Sequence, residues 1–250
     1  MSSITDSDKI LSRISSHDNF SKHDLTDWII SIIKPQNNES ILDLGCGPGK
    51  QIFKIKEMFH DTKFLGYDKT TSSLELIQNF CKENSLNDVE TVNSDLDDFS
   101  KSLQSYDNFD LIYSSFALYY SKNFKKLISS IYNKLNDNGR FFACGPIKGN
   151  NGELISFQQS IPKSTLEDVT YKMTDEILPV TKKIFTNTTT EFLDNPITFP
   201  NLDSLMNYWK SSWLFEENIE KEFFEKAKEY FEIHETFITT KKIIGILGKK

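Results

Sequence analysis

Residues 41–50 read ILDLGCGPGK: an apolar run interrupted by one acid, then glycine at every second position, Gly45, Gly47 and Gly49. The run SILDLG at 40–45 is short, apolar and closed by a glycine, the signature of a strand buried on both faces. Helical periodicity follows in KQIFKIKEMF at 50–59, and KFLGYD at 63–68 is again strand-like. Strand, glycine loop, helix, strand is a βαβ unit. Glycine is required where φ is positive or where another group comes close to the backbone. Alternate glycines after a strand make a tight turn into a helix N-terminus. In parallel sheets, ligands bind at the carboxyl ends of the strands, where this loop lies.

The alternation extends outward from this unit. LTDWIISIIK at 25–34 has helical spacing and stops at Pro35. Downstream come a helix over 72–84 with Ser72 as its N-cap, a strand at VETVNSD (89–95), and a strand at FDLIYSSF (109–116). The amphipathic helix KNFKKLISSIYNKL (122–135) ends at the turn cluster NDNG, and RFFACGP (140–146) is a further strand. Five strands alternating with helices predict a parallel sheet covered on both faces. Beyond Gly145 the rhythm breaks. Residues 147–158 read as a loop entering a helix, KKIFTNTTTEF (182–192) as a strand, 201–231 as aromatic and helical, and ETFITTKKIIGILG (235–248) as a strand.

At 250 residues, 38% hydrophobic and 26% charged, with 20 Phe, 9 Tyr and 3 Trp, the chain is expected to form one globular domain. A net charge of -7, with lysines dispersed among acids, offers no positive field for a phosphate backbone, so no nucleic-acid partner is expected. No apolar run is long enough to cross a bilayer, and the N-terminus carries no apolar core of signal length. Cys46, Cys81 and Cys144 are odd in number and widely spaced, unlike a disulfide framework. A soluble cytoplasmic protein without a membrane partner is the expectation. The four histidines and three cysteines show no metal-ligand spacing, so no metal is expected.

The dinucleotide fingerprint G-x-G-x-x-G requires a third glycine where this chain has Lys50, which argues against NAD. The pattern present is D-x-G-x-G-x-G, with Asp43 two residues before the first glycine. Asp68 ends the next strand and Asp95 the third. A carboxylate at the end of the second strand can accept both hydroxyls of a ribose. Acids at three successive strand ends suit a cationic or hydroxyl-rich nucleoside better than a pyrophosphate.

These segments, in this order over about residues 38–146, resemble the class I S-adenosylmethionine-dependent methyltransferases. ILDLGCGPGK is similar to that family's first motif, FLGYDKT to its ribose-binding acidic motif, and NSDLDDF to its adenine-contacting motif. FDLIYSSFALYY is similar to its fourth motif and LNDNGRFFACGP to the turn and strand after it. The resemblance implies a Rossmann-like α/β fold: a seven-stranded, mostly parallel sheet with an antiparallel last strand, helices on both faces, and a helical substrate-side insertion. It divides the chain into an N-terminal helical lid (1–37), a cofactor-binding core (38–146), and an insertion with the last strands (147–250). The implied cofactor is S-adenosyl-L-methionine. Gly45, Cys46 and Gly47 would meet its methionine part through their backbone, and Asp43 would hold its amino group indirectly. Asp68, with Lys69 beside it, would bind the ribose, and Asp95 and the Leu96 amide the adenine. Ser114 and Phe116 would line the methionine end. Cys46 itself reads as a small loop residue, and Asp97 and Asp98 as solvated acids.

The family's Asn/Asp-Pro-Pro-aromatic motif for methylating amino groups of bases is replaced here by SSFALYY, and residues 114–125 lack the glutamate pair that would hold a guanidinium. A small-molecule acceptor, methylated on oxygen, nitrogen or a carboxylate, is the expected substrate. FPNLDSLMNYWKSSWLF (199–215) resembles the substrate-side insertion of small-molecule members, with Tyr208, Trp209 and Trp213 as pocket wall; for Trp213, packing on the sheet is an equal alternative. Tyr119 and Tyr120 follow the fourth strand, where the family places residues that face the acceptor. Tyr120 and His23 are the candidates for catalytic roles. Three rivals stand beside this reading: a methyltransferase acting on a protein or carrier-bound substrate, a cofactor-binding module without turnover, and an NAD-binding dehydrogenase, against which Lys50 argues. Oligomeric state is not legible.

Overall fold

A computed structural model describes residues 6–165 and 170–250. By their internal contacts they fall into two compact units. One comprises Leu25–Pro146, Tyr171–Phe192 and Ile244–Lys250; the other comprises the residues up to Asp24, Ile147–Thr170 and Leu193–Ile243.

The first unit is built on the predicted alternation. Helix α1 (Asp6–Phe20) precedes it in sequence. Within it, α2 (Leu25–Ile33) leads to β1 (Ser40–Leu44), α3 (Lys50–Met58), β2 (Lys63–Asp68), α4 (Thr71–Glu83) and β3 (Val89–Asn93). A single helical turn, α5 (Phe99–Ser102), then β4 (Phe109–Ser115), α6 (Phe124–Lys134) and β5 (Leu135–Pro146) follow. β1 pairs in parallel with β2 and β4, β2 with β3, and β4 with β5. Ile41, Leu42, Leu44, Leu111, Ile112 and Tyr113 are all buried, as expected for strands covered on both faces. The rest of the chain adds α7 (Gly152–Gln159), α8 (Leu178–Ile184), β6 (Asn187–Phe199), α9 (Leu202–Ser211), α10 (Glu220–Ile233) and β7 (Phe237–Lys249). The seven strands run in the order β3-β2-β1-β4-β5-β7-β6, and the last strands are antiparallel. This is the class I sheet that the motifs implied.

Three local expectations shift. Helix α4 begins at Thr71 with Thr70 as its N-cap, not at Ser72, because the Asp68 carboxylate accepts the Thr70 N–H (2.8 Å) and sets the turn earlier. The NDNG cluster does not end before a strand; it lies within β5. Pairing jumps from Phe109↔Leu135 to Leu111↔Arg140, a bulge in which Asn138 takes φ 65°. The segment expected as strand from residue 182 stays helical through Ile184. Phe185 is fully buried, its ring 5.6 Å from Phe141 and 5.2 Å from Tyr132, so packing overrides the β propensity of Ile184 and Phe185.

The second unit has an aromatic core of its own. The Trp209 indole stacks on Phe223 at 3.9 Å and 1°, and Phe157 makes edge contacts with Phe223 and Phe237. Several buried polar groups of this core join in one connected set. Trp209 Nε1 donates to Gln158 Oε1 (2.8 Å), and Gln158 Nε2 donates to the Leu214 carbonyl (2.9 Å) and to Glu216 (2.6 Å). Burial raises the Glu216 carboxyl, but donors from Ser164, Thr165 and Gln158 outweigh it and hold the group at about 2.

Arg140 is the clasp beneath the parallel strands. Its Nε donates to the Ile33 carbonyl (2.7 Å), and its two terminal nitrogens engage both Glu39 oxygens (2.6 and 2.8 Å) in a largely buried pair. Arg140→Ala should therefore cost about 3 kcal/mol in urea unfolding. Arg140→Lys should recover only part of this, because an ammonium cannot make the bidentate contact.

Candidate cofactor site

The loop after β1 takes the conformation that its glycines permit. Gly45, Gly47 and Gly49 have φ of 84°, 51° and 83°, a region that favours glycine. At two of the three positions it is the protein itself that excludes a side chain. A Cβ on Gly45 would sit 2.2 Å from the Ala117 Cβ, and one on Gly49 would sit 2.8 Å from Ile77. Gly45 N and Cys46 N both donate to the Tyr67 carbonyl (2.7 and 3.1 Å), which ties the loop to the end of β2.

Asp68 completes the loop. Its Oδ2 accepts from Gly47 N (2.9 Å) and its Oδ1 from Thr70 N (2.8 Å). A carboxylate has about four lone-pair sites, so each oxygen retains capacity for a further donor. Lys69, next to it, is exposed. At the end of β3, Asp95 is exposed and accepts from Asp97 N through Oδ1 (3.0 Å), while its carbonyl accepts from Tyr67 Oη (2.7 Å). Leu96 opens the 3-10 turn Leu96–Asp98.

Asp43 lies deeper, with 1% exposure, opposite Tyr113 in the β1–β4 register and accepting its phenol at 2.8 Å. It does not cap α3, whose N-cap is Gly49. Burial pushes its carboxyl from 3.8 up to about 7; the Tyr113 phenol opposes the shift and the Asp68 charge adds to it. Burial, with the charges of Asp43 and Asp68, likewise drives the Cys46 thiol well above its usual range. A thiol held protonated in this way is no nucleophile.

The end of β4 forms the opposite side. Ser114 is fully buried and its hydroxyl donates to the Leu44 carbonyl (2.8 Å), joining β4 to β1. Phe116 has φ 56°, a costly backbone for an aromatic residue, and donates its N–H to the Cys144 carbonyl (2.9 Å). The next residue, Ala117, is the one that fills the space beside Gly45. Tyr119 and Tyr120 follow on a 3-10 turn with ring centroids 4.7 Å apart, and Tyr120 is 63% exposed. Tyr119 and Met173 would both clash with a Cβ on Gly145 (2.8 and 2.9 Å), so they meet over the end of β5.

Asp43, Gly45, Cys46, Gly47, Asp68, Lys69, Asp95, Leu96, Ser114, Phe116, Tyr119 and Tyr120 thus all belong to the parallel-sheet unit. His23, Tyr208, Trp209 and Trp213 belong to the other unit. His23 is exposed, and its backbone is clasped by the side chain of Asn195, which accepts its N–H (2.9 Å) and donates to its carbonyl (2.8 Å). Tyr208 and Trp209 are buried in that unit's core, with Tyr208 Oη donating to Asn151 Oδ1 (3.3 Å), whereas Trp213 is 39% exposed.

Sequence reasoning missed three residues. Tyr113, the partner of Asp43, is hidden in an apolar strand and is visible only through strand register. Ala117 carries no chemical signal. Asp97, expected to be solvated, accepts from Ser121 Oγ (2.6 Å), Lys122 N (3.1 Å) and Asn123 N (3.3 Å). The Ser121 hydroxyl, ahead of the two amides, holds its carboxyl below the usual range.

The donor and acceptor set fits the cofactor implied by the motifs. Asp68 is oriented by two backbone amides with lone pairs to spare for ribose hydroxyls, Asp95 presents an exposed carboxylate, and acids at three successive strand ends suit a positively charged ligand. Among the described residues no helix is long and apolar enough to cross a membrane, and no group of His, Cys, Asp and Glu could hold a metal ion.

Comparison with known proteins agrees with this geometry. A family model described as a methyltransferase domain matches residues 35–227. The chain is 26% identical over 107 residues to (S)-coclaurine N-methyltransferase of Papaver somniferum; the match takes in 43% of this chain and 29% of that enzyme, so the chain spans less than a third of its curated relative. Among solved structures, the YcgJ protein of Bacillus subtilis superposes with a TM-score of 0.63 at 18% identity, covering 90% of this chain and 97% of that one. The phosphoethanolamine N-methyltransferase 2 of Haemonchus contortus, in complex with phosphomonomethylethanolamine and S-adenosylhomocysteine, superposes with a TM-score of 0.59 at 16% identity, covering 98% of this chain and 57% of that one. With its sheet order, its glycine loop and a family match over most of its length, the chain belongs to the methyltransferase-domain family, the S-adenosylmethionine-dependent methyltransferases of class I fold.

Proposed function

We propose that this protein transfers a methyl group from S-adenosylmethionine to a nitrogen of a small-molecule acceptor. The observation that carries the cofactor half of this reading is Asp68, fixed by Gly47 N and Thr70 N at the end of β2 with acceptor capacity left over. The acceptor half draws on the curated relative, itself an N-methyltransferase, and on the loop after β4. Residues 116–123, which meet the glycine loop through Ala117, carry two tyrosines and contain no carboxylate or imidazole.

When bound, S-adenosylmethionine supplies an electrophilic methyl group on a sulfonium. The protein's work is then alignment and exclusion of water. Asp68 and Asp95 hold the nucleoside by charged hydrogen bonds, and Asp43 lies behind the glycine loop as a reserve of negative charge. Tyr119 and Tyr120 orient the acceptor. An amine that arrives neutral needs no base to become nucleophilic, so His23 acquires no obligatory role.

Calorimetric titration with S-adenosylmethionine, S-adenosylhomocysteine and NAD tests the cofactor: the first two should bind, and binding of NAD alone would overturn the assignment. Asp68→Ala should weaken S-adenosylmethionine binding by about 1.5–3 kcal/mol, roughly 10- to 150-fold; unchanged affinity removes Asp68 from the ribose site. Small amines are then screened by release of S-adenosylhomocysteine. With an accepted amine in hand, Tyr120→Phe should slow turnover and leave cofactor affinity near that of wild type; undiminished turnover excludes the Tyr120 hydroxyl from the reaction.

Affinity should also depend on pH through Asp43. Below about 7 its carboxyl is protonated, and a positively charged ligand must then bind without the charge or displace the proton. S-adenosylmethionine should therefore bind more tightly as pH rises through about 7. Asp43→Asn should flatten this part of the profile; parallel profiles for the two proteins would show that Asp43 does not respond to the ligand.

A further inference from the structure

The segment 116–123, which presents Tyr119 and Tyr120, is strung between two parts of the cofactor cradle. At its start, Ala117 is seated against Gly45, where not even a Cβ fits between them. At its end, three consecutive residues donate to a single carboxylate. Asp97 Oδ1 accepts from Ser121 Oγ (2.6 Å) and Asn123 N (3.3 Å), and Oδ2 accepts from Lys122 N (3.1 Å). The same residue faces the other way through its backbone, since Asp97 N donates to Asp95 Oδ1 (3.0 Å). Asp97 therefore bonds both to Asp95, two residues past β3, and to the residues that follow the turn carrying Tyr119 and Tyr120. Its neighbours are themselves anchored: Tyr67 Oη holds the Asp95 carbonyl, and Asn123 Oδ1 caps α6 by accepting from Lys126 N (3.2 Å). A shift of the Leu96–Asp98 turn must therefore be transmitted to residues 121–123 or break these bonds.

We infer that Asp97 is a positioning residue that couples occupancy of the nucleoside site to the placement of Tyr119 and Tyr120. The inference rests on the cofactor reading above and goes beyond it, because it gives a role to an acid that touches neither ligand. A ligand seated on Asp95 and Leu96 immobilises the turn Leu96–Asp98. Through the Asp97 carboxylate, that immobilisation extends to Ser121, Lys122 and Asn123. The loop is then held at both ends, and the two tyrosines are set before an acceptor arrives. Such coupling lets the first ligand meet the ordering cost of the second site.

Hydrogen exchange of the peptide 116–123, with and without saturating S-adenosylhomocysteine, tests this without turnover. In the wild type, S-adenosylhomocysteine should slow exchange at Lys122 and Asn123. In Asp97→Asn, which loses the charge and one acceptor oxygen, most of that slowing should disappear while the ligand still binds. Ser121→Ala should lose part of it, which keeps the test decisive if Asp97→Asn does not fold. A purely structural clasp would speed exchange equally in the free and bound variant and preserve the ligand-dependent difference; that result overturns the inference and leaves the cofactor reading intact. Wild-type protein that binds S-adenosylhomocysteine without slowing 116–123 also overturns it. Wild-type protein that does not bind S-adenosylhomocysteine overturns the cofactor reading, and the coupling with it.

Discussion

The contact between Gly45 and Ala117 is the constraint on which the candidate site depends. With 2.2 Å between the Ala117 Cβ and the place where a Cβ of residue 45 would lie, the loop after β1 and the loop after β4 can approach only if residue 45 is glycine. That approach fixes the distance between the segment that would hold the methionine part of the cofactor and the segment that presents Tyr119 and Tyr120. Glycine here serves packing between two protein loops. The positive φ of Phe116, one residue before Ala117, is the backbone strain that accompanies the approach, and Phe116 N is held in place by the Cys144 carbonyl.

Around this contact the acids divide their work by depth. Asp43 is buried against Tyr113 and has its proton affinity raised to about 7. Asp68 is half-buried and oriented by two amides. Asp95 is exposed, and Asp97 is exposed yet satisfied by three donors. The four carry the same functional group, but burial and the donors around each give it a different set of partners. Asp43, raised to about 7 by its burial, is placed to change charge near neutrality.

The aromatic C-terminal sequence shows how similar composition can serve different ends. Trp209 and Phe223 are stacked in the interior of the second unit, and the buried amide of Gln158 satisfies the indole N–H, the Leu214 carbonyl and Glu216 together. Four residues along the chain, Trp213 is 39% exposed. A pattern of aromatic residues in a helix marks a hydrophobic face, but which residues line a cavity and which fill a core follows from the elements they meet.

Much of the fold could be read from the chain because it is encoded locally. Apolar runs of strand length closed by Gly45 or Asp68, helical spacing between them, and acids at successive strand ends are properties of neighbouring residues, and they locate β1 to β5 and the glycine loop. Where local signals competed with packing they misled: Phe185 is drawn into the core beside Phe141, the NDNG cluster became a bulge, and α4 started early because Asp68 reaches Thr70. Tyr113 opposite Asp43, Ala117 against Gly45, and Asp97 bound to residues 121–123 were decided only by the tertiary structure. Each joins residues 24 to 72 positions apart through strand register or loop contact, and nothing in the spacing of residues along one strand specifies what its neighbour will place beside it. The sequence alone determined which chemical groups stand at the strand ends; the three-dimensional arrangement decided which of them touch.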